Sequence, residues 1–481
     1  MKRSLVSCLA LASVVFLCGA GTYVPGVPPL EAPLGDRLPL VSVIPFVLLL
    51  VAIALLPVFA GSWWEANANK GKVAALFALP LAGLMVFHFG WTGLEAIVDR
   101  LFEYISLIVL LGSLYIVCGG ILVEGSPKGS PVVNTGLLAL GAVLSNIIGT
   151  TGASMILVRP LIRANQHRQH VAHVPIFLIF IVANCGGLLT PLGDPPLFLG
   201  YLAGVPFGWT LKLFPVWALV NGALLAIFYV WDWRAFLREK PVSPAIKPEI
   251  GVPQSHDSQT RRLRVLGLHN VLLLVGIVVT IFAAGRGLGS GTRWPFGMQE
   301  ALLVAFALAS LWYTPADLRE RNRFTLGPMI EVAILFAGIF VTMTPALSIL
   351  NARGGRLGLH EPWQFFWASG LLSGFLDNAP TYLAFTAVAS GTQGVPLQGW
   401  YLGHALGLNP VLGYEQVLAA VSCGCVLMGA LTYIGNGPNF MIRAIAQESN
   451  IRMPSFLGYI AYSASVLLPL FVLVTILFFR A

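Results

Sequence analysis

Roughly a dozen apolar stretches, each near the 20 residues that a bilayer-crossing helix needs, run through this 481-residue chain. Lipid gives backbone N–H and C=O groups no partner, so such a chain crosses a membrane as helices or as a closed barrel. Barrel strands would read as alternating ten-residue segments, and these runs do not alternate. The charge count agrees. The chain has 28 Lys and Arg and 20 Asp and Glu, where an average soluble chain of this length carries roughly 120 charged residues. With 57% apolar residues, a soluble fold could not hide its surface. Soluble enzymes, nucleic-acid binders and secreted disulfide scaffolds are excluded. The first partner is the lipid bilayer, and no nucleic acid is expected. The net charge of +8 instead reflects Lys and Arg collecting in cytoplasmic loops. Cys8, Cys18, Cys118, Cys185, Cys423 and Cys425 all lie in apolar stretches, where a thiol behaves as a small hydrophobe.

The organisation follows from the interruptions. Met1-Lys2-Arg3 precedes an apolar run to Gly21, which reads equally as a cleaved signal or a retained anchor. Residues 1–39 form that segment and an outer linker. Spans follow at 40–60, 73–93 and 104–123. The apolar stretch 132–158 is interrupted at Ser145-Asn146-Ile147-Ile148-Gly149-Thr150-Thr151. After the basic loop 159–173, a long span at 174–203 is broken by Asn184-Cys185-Gly186-Gly187 and by Thr190-Pro191-Leu192-Gly193-Asp194-Pro195-Pro196. A span at 211–231 leads to the longest polar segment, 232–266. Residues 236–266 make a cytoplasmic linker between a first transmembrane repeat, 40–235, and a second, 267–481. The second half has spans at 267–286, 298–314 and 327–350. An interrupted stretch, 364–389, contains Leu376-Asp377-Asn378-Ala379-Pro380-Thr381. A broken span, 411–446, contains Thr432 to Phe440, and a last span covers 456–479.

Charge counting orients these elements. If both interrupted stretches are hairpins that enter and leave on one side, the cytoplasmic ends and loops are 1–3, 61–72, 124–131, 159–173, 232–266, 315–326 and 443–455. They hold 20 of the 28 Lys and Arg, the bias expected of a positive inside. The outer side keeps eight: Arg37, Arg100, Lys212, Arg286, Arg293, Arg353, Arg356 and Arg480. Each half then has three spans, a re-entrant hairpin, a broken helix and a final span, in opposite orientation. The expected fold is an all-α polytopic membrane protein of two inverted-topology repeats, with about 10–11 spans besides the N-terminal segment. Thr190 to Phe198 lines up with Thr432 to Phe440, with Asp194 facing Asn436. Leu144-Ser145-Asn146 matches Leu376-Asp377-Asn378.

Gly/Pro-interrupted segments in matching positions point to a secondary transporter's binding site, because freed carbonyls coordinate cations and half-helix N-termini hold anions. Asp194 and Asp377 are decisive. A charge inside an apolar stretch costs about 2.5–3.5 kcal/mol even on insertion scales and marks an ion path or proton relay. Either carboxylate can hold Na⁺ or a proton, the competition that underlies exchange. Asn146, Asn184, Asn378, Asn436 and Asn439 offer carbonyl oxygens, and Ser145, Thr150, Thr190, Thr381 and Thr432 offer hydroxyls. Oxygen ligands suit hard cations. The competing reading is that these Asp and Asn residues merely cap the half-helices. Glu331 is expected at the interface or as a proton acceptor, and Arg159 and Arg443 are expected to snorkel to the cytoplasmic surface, with contact to an anionic substrate as the alternative. His167, His170 and His173 are expected on an exposed loop face, and Trp63-Trp64 as interface anchors. A channel would need a continuous polar pore, and an intramembrane enzyme a nucleophile with its base. Ser145 has no histidine partner within the membrane stretches, so neither is favoured. No GxxxxGK[ST] motif supports ATP-driven transport.

Asn184-x-Gly186-Gly187-x-x-Thr190-Pro191-x-Gly193-Asp194 and Asp377-Asn378-x-Pro380 resemble the sodium/proton antiporter branch of the ion transporter superfamily, over residues 40–480. Pro195-Pro196 and Gly437-Pro438-Asn439 are closer to its citrate, carboxylate and arsenite members. The resemblance implies two inverted repeats with substrate and Na⁺ at the hairpin tips. Ser145, Asn146, Thr150, Asp377, Asn378 and Thr381 would be tip ligands. Asn184, Thr190, Gly193, Asp194, Thr432, Gly435 and Asn436 would be broken-helix ligands. It also implies cation-coupled transport by alternating access in the cell inner membrane, with sodium/proton antiport ahead of sodium- or proton-coupled citrate or dicarboxylate transport. No resident cofactor is expected, only transported or coupling Na⁺ and H⁺, with a small ion or carboxylate as substrate. Family members are often homodimers.

Overall fold

The computed structural model describes residues 34–125, 128–239, 264–288, 294–397, 399–407 and 413–480. The signal-or-anchor run, Cys8, Cys18 and most of the inter-repeat linker lie outside them. Among the described residues, eight helices are long and apolar enough to cross a bilayer, and the apolar stretches His173–Leu188 and Met298–Tyr313 are shorter. The protein is an all-α, multi-pass membrane protein. Its longer helices are α1 (Ile44–Phe59), α2 (Asn67–Cys118), α3 (Pro131–Ala164), α4 (His173–Ile181), α5 (Pro195–Leu202), α6 (Phe214–Leu237) and α7 (His269–Arg286). They continue with α8 (Met298–Tyr313), α9 (Gly327–Arg353), α10 (Pro362–Phe375), α11 (Asn378–Thr392), α12 (Tyr414–Met428), α13 (Gly437–Glu448) and α14 (Phe456–Val474).

The structure makes one correction in α2. A loop was expected at 94–103, where Glu95, Asp99, Arg100 and Glu103 make the sequence polar. Instead the chain bends at Gly90 (φ 57°, ψ −129°) and continues helically to Cys118. A residue without Cβ reaches that conformation at little cost. Arg100 is buried and satisfied within the helix by Glu103 at 2.7 Å.

Helix α3 is the first hairpin. Its two arms are joined at Gly149 (φ 75°, ψ 156°), a conformation essentially reserved for glycine. The ends of the hairpin meet, with Gly129 N donating to Ala164 O at 2.8 Å. Gly149→Ala is expected to destabilise the protein by about 1–3 kcal/mol. Thermal melting of the purified variant tests this, and an unchanged melting temperature would show that the turn accepts a side chain.

The second hairpin, α10 and α11, turns through extended backbone at Leu376. The first broken span separates α4 from α5 across 182–194, and the second separates α12 from α13 across 429–436. Pro195-Pro196 and Pro438 stand in the first turns of the restarted helices, where a missing N–H removes no helical bond.

The loop contacts fall into two sets. Arg163 reaches Val123 O at 2.9 Å, Arg321 pairs with Glu124, Arg323 with Glu448 at 3.8 Å, and Arg168 with Asp232 at 2.6 Å. These contacts tie together segments from five of the basic loops. Elsewhere Lys212 pairs with Glu415 at 2.5 Å, Arg353 bonds Leu38 O at 3.0 Å, and Asn351 bonds Val395 O at 2.9 Å. Those segments are ones assigned to the opposite end.

A two-stranded ribbon was not foreseen. Leu122–Glu124 pairs antiparallel with Arg264–Leu266, joining the end of the third span to the end of the linker. Three-residue strands carry too few side chains for a period of two to be visible.

Candidate functional site

Asp194 is the centre of the site. It is 1% exposed and occupies the N-cap position of α5, yet its side chain makes no capping bond. The reason is local. An N-cap oxygen normally accepts from the second or third helical N–H; Pro196 removes the second, and the third, Leu197 N, donates to the Asp194 backbone carbonyl at 3.1 Å. The carboxylate is left to face other elements. Its Oδ1 accepts from Thr150 Oγ1 at 3.0 Å and from Asn436 Nδ2 at 3.1 Å, and its Oδ2 accepts from Asn378 Nδ2. One donor comes from each hairpin turn and one from the second broken helix. Among the described residues, no Lys, Arg or His forms an ion pair with Asp194.

The two halves build this point with the same contacts. Ser145 Oγ donates to Val182 O at 2.7 Å, and Ser373 Oγ to Cys425 O at 2.7 Å. One residue further along each arm, Asn146 O accepts from Thr190 Oγ1 at 2.5 Å and Gly374 O from Thr432 Oγ1 at 2.6 Å. The residues following each turn, Thr150 and Asn378, both reach Asp194. The hairpin equivalence is therefore Ser145 with Ser373 and Thr150 with Asn378. The short match of Ser145-Asn146 to Asp377-Asn378 is displaced by four residues, because glycine makes one turn and extended Leu376-Asp377 makes the other. The broken-span match stands, with Thr190 and Thr432 in equivalent contacts. Gly193 and Gly435 pack onto backbone. A Cβ on Gly193 would sit 2.1 Å from Gly187 O, and one on Gly435 would sit 2.6 Å from Gly429 O.

The expected ligands divide into four groups. Asp194, Thr150, Asn378 and Asn436 converge. Asn184 and Asn439 lie behind them, with Asn184 Nδ2 donating to Asn439 Oδ1 at 2.8 Å and Asn436 Nδ2 reaching Asn184 Oδ1 at 3.3 Å. Asn439 also donates to Gly429 O and Thr432 O. Ser145, Asn146, Thr190 and Thr432 are bonded to backbone and hold the hairpins against the breaks. Asp377 does cap its helix, accepting from Ala379 N at 3.2 Å, and Thr381 donates to Asp377 O at 3.0 Å. The capping reading thus holds for Asp377 and fails for Asp194. Asp377 directly precedes Asn378, which bonds Asp194.

The donor set fits a small cation. Asn378 is fully buried, and its Oδ1 has no hydrogen-bond partner. Asp194 Oδ2 accepts from Asn378 Nδ2 and has acceptor capacity left. Both oxygens belong to residues that meet through Asn378 Nδ2.

A second buried charged cluster was missed. Asp232, 0% exposed, accepts from Asn134 Nδ2 at 2.8 Å and pairs with Arg168 at 2.6 Å and His173 at 2.8 Å. Asn165 Oδ1 accepts from Asn134 and Arg168. His173 is buried, which corrects the exposed reading of the three histidines; His167 and His170 are exposed. The only sequence signal was one acid between Trp231 and Trp233, at the end of an apolar span. Nearby, burial pushes the Glu239 carboxyl up, but the backbone N–H groups of His170 and Gln169 and the Arg168 guanidinium outweigh it. They hold Glu239 below the usual carboxylate range. Glu331 pairs with buried Lys70 at 2.8 Å, and Arg443 lies over the Tyr433 ring.

Residues 35–479 match the model of a family described as "Putative citrate transport". An uncharacterized transporter of Synechocystis sp., slr0753, is 22% identical over 393 residues, covering 76% of this chain and 78% of the relative.

Proposed function

The chain belongs to the citrate-transport family, and from that membership and the Asp194 cluster we propose a cation-coupled secondary active transporter of the inner membrane, exchanging Na⁺ for protons. One observation carries the reading: a buried carboxylate held by three neutral donors and, among the described residues, paired with no cationic side chain. An uncompensated buried carboxylate costs several kcal/mol. It is neutralised by a proton or by a bound cation, and competition between the two is exchange. Asn378 serves both states. Its Nδ2 donates to the carboxylate, and after a half-turn of the amide its Oδ1 accepts from the carboxylic acid.

The halves would form an inverted-topology repeat, with each hairpin and broken helix moving as a unit against the remaining spans. Alternating access then opens Asp194 to one side at a time. Asp377 would bias the site further toward cations. Na⁺ and H⁺ are cargo or coupling ions in this scheme.

Cation-coupled citrate or dicarboxylate transport is the second reading. The family description favours it, as do two half-helix N-termini, at Thr150 and Asn378, meeting at one point. With no cationic residue paired at the centre, the carboxylate substrate would need the coupling cation bound first.

Flux in proteoliposomes under imposed Na⁺, pH and citrate gradients tests the choice. The expected result is Na⁺-driven proton movement in the absence of citrate. Citrate uptake with no Na⁺/H⁺ exchange would replace the first reading with the second.

A further inference from the structure

A cavity of about 1600 Å³ lies among α4, α6, the 449–454 loop and α14. It is separate from the Asp194 site and is lined by Arg234, Arg238, Arg452, Trp231 and Tyr462. Arg168 also lines it but is already neutralised by Asp232 and Glu239. Arg234, Arg238 and Arg452 are exposed, and among the described residues none of the three is in an ion pair.

Helix α6 orders this wall. Ile227, Val230, Trp231, Arg234 and Arg238 recur at spacings of three or four, so they share one face. Along that face the apolar residues come first and the two arginines stand at the helix end. Val230 is 49% exposed and Trp231 41%, on a helix otherwise long and apolar enough to span a bilayer. The cavity thus has a cationic rim continuous with an apolar, lipid-level wall. A soluble anion needs only the rim. A molecule with an anionic head and acyl chains uses both.

We propose that this cavity is a binding site for an anionic phospholipid. Its phosphate lies among Arg234, Arg238 and Arg452, and its acyl chains follow Ile227 and Val230 into the bilayer. Basic pockets between membrane helices take such headgroups, and each Lys or Arg near the surface adds to the attraction. Because Arg234 and Arg238 stand at the end of α6 and Arg452 follows α13, the lipid joins these two elements.

Native mass spectrometry of the full-length protein in detergent, titrated with phosphatidylglycerol or phosphatidylcholine of matched chains, tests this. Phosphatidylglycerol is expected to bind at least about tenfold more tightly. The triple variant Arg234→Gln, Arg238→Gln, Arg452→Gln should lose that preference, and the corresponding triple Lys variant should keep most of it. All three positions are exposed, and melting without lipid checks that each variant is folded. Equal binding of the two lipids, or an undiminished preference in the Gln variant, would overturn the proposal. Displacement of the lipid by inorganic phosphate at comparable concentration would reassign the cavity to a soluble anion and equally overturn it.

Discussion

Asp194→Asn should reduce cation-dependent flux on the order of 100-fold, the upper range for loss of metal-site interactions, while leaving the protein folded. The geometry separates the two effects. Asparagine is isosteric, and its Oδ1 can still accept from Thr150 and Asn436, which now bond Asp194 Oδ1 at 3.0 and 3.1 Å. Its amide would face Asn378, whose unpartnered Oδ1 can turn to accept. Hydrogen bonding survives and the charge does not. Thr150→Val and Asn378→Leu keep the charge but each remove one donor, so intermediate losses of about 10–100-fold in apparent Na⁺ affinity are expected. Reconstituted flux, measured beside thermal melting, checks all three. Wild-type exchange by Asp194→Asn would remove this residue from the mechanism.

The largest stability effect should come from the other buried charge. Arg168→Leu leaves Asp232 at 0% exposure with, among the described residues, Asn134 and His173 as its side-chain partners. Breaking a buried pair on one side costs about 3–5 kcal/mol, whereas replacing both partners with apolar residues is often neutral or stabilising. The double variant Arg168→Met, Asp232→Leu should therefore recover most of the loss. Denaturation midpoints of the single and double variants measure this. A single variant as stable as wild type would mean that water reaches Asp232. The pair ties the segment after the first hairpin to α6, so its loss should loosen the hairpin base before it alters the residues at Asp194.

The all-α membrane class was legible because apolar run length and charge scarcity act over the whole chain. Gly/Pro clusters inside apolar runs located both hairpins and both broken spans, since only a cavity or protein can receive freed backbone groups. Asp194 was legible for the same reason: a charge at a break has few uses. Its partners were less so. Whether Asn146 points at the site or at the Leu189 backbone N–H, which it meets at 2.8 Å, depends on packing that spacing does not encode. The four-residue displacement between the hairpin turns was hidden because Gly149 and Leu376-Asp377 solve the same bend with different backbone. Asp232 is distant in sequence from Arg168 and His173, and each read as an ordinary loop residue until the fold joined them.

The central claim is that one buried carboxylate trades a proton for a cation. Proton release on adding NaCl to the full-length protein in weakly buffered detergent solution, with choline chloride as control, addresses it directly. Wild type should release about one proton per Na⁺ bound, because a ligand must give up its proton to take the metal, and Asp194→Asn should release none. Na⁺ binding with no proton release, or equal release from Asp194→Asn, would contradict the account.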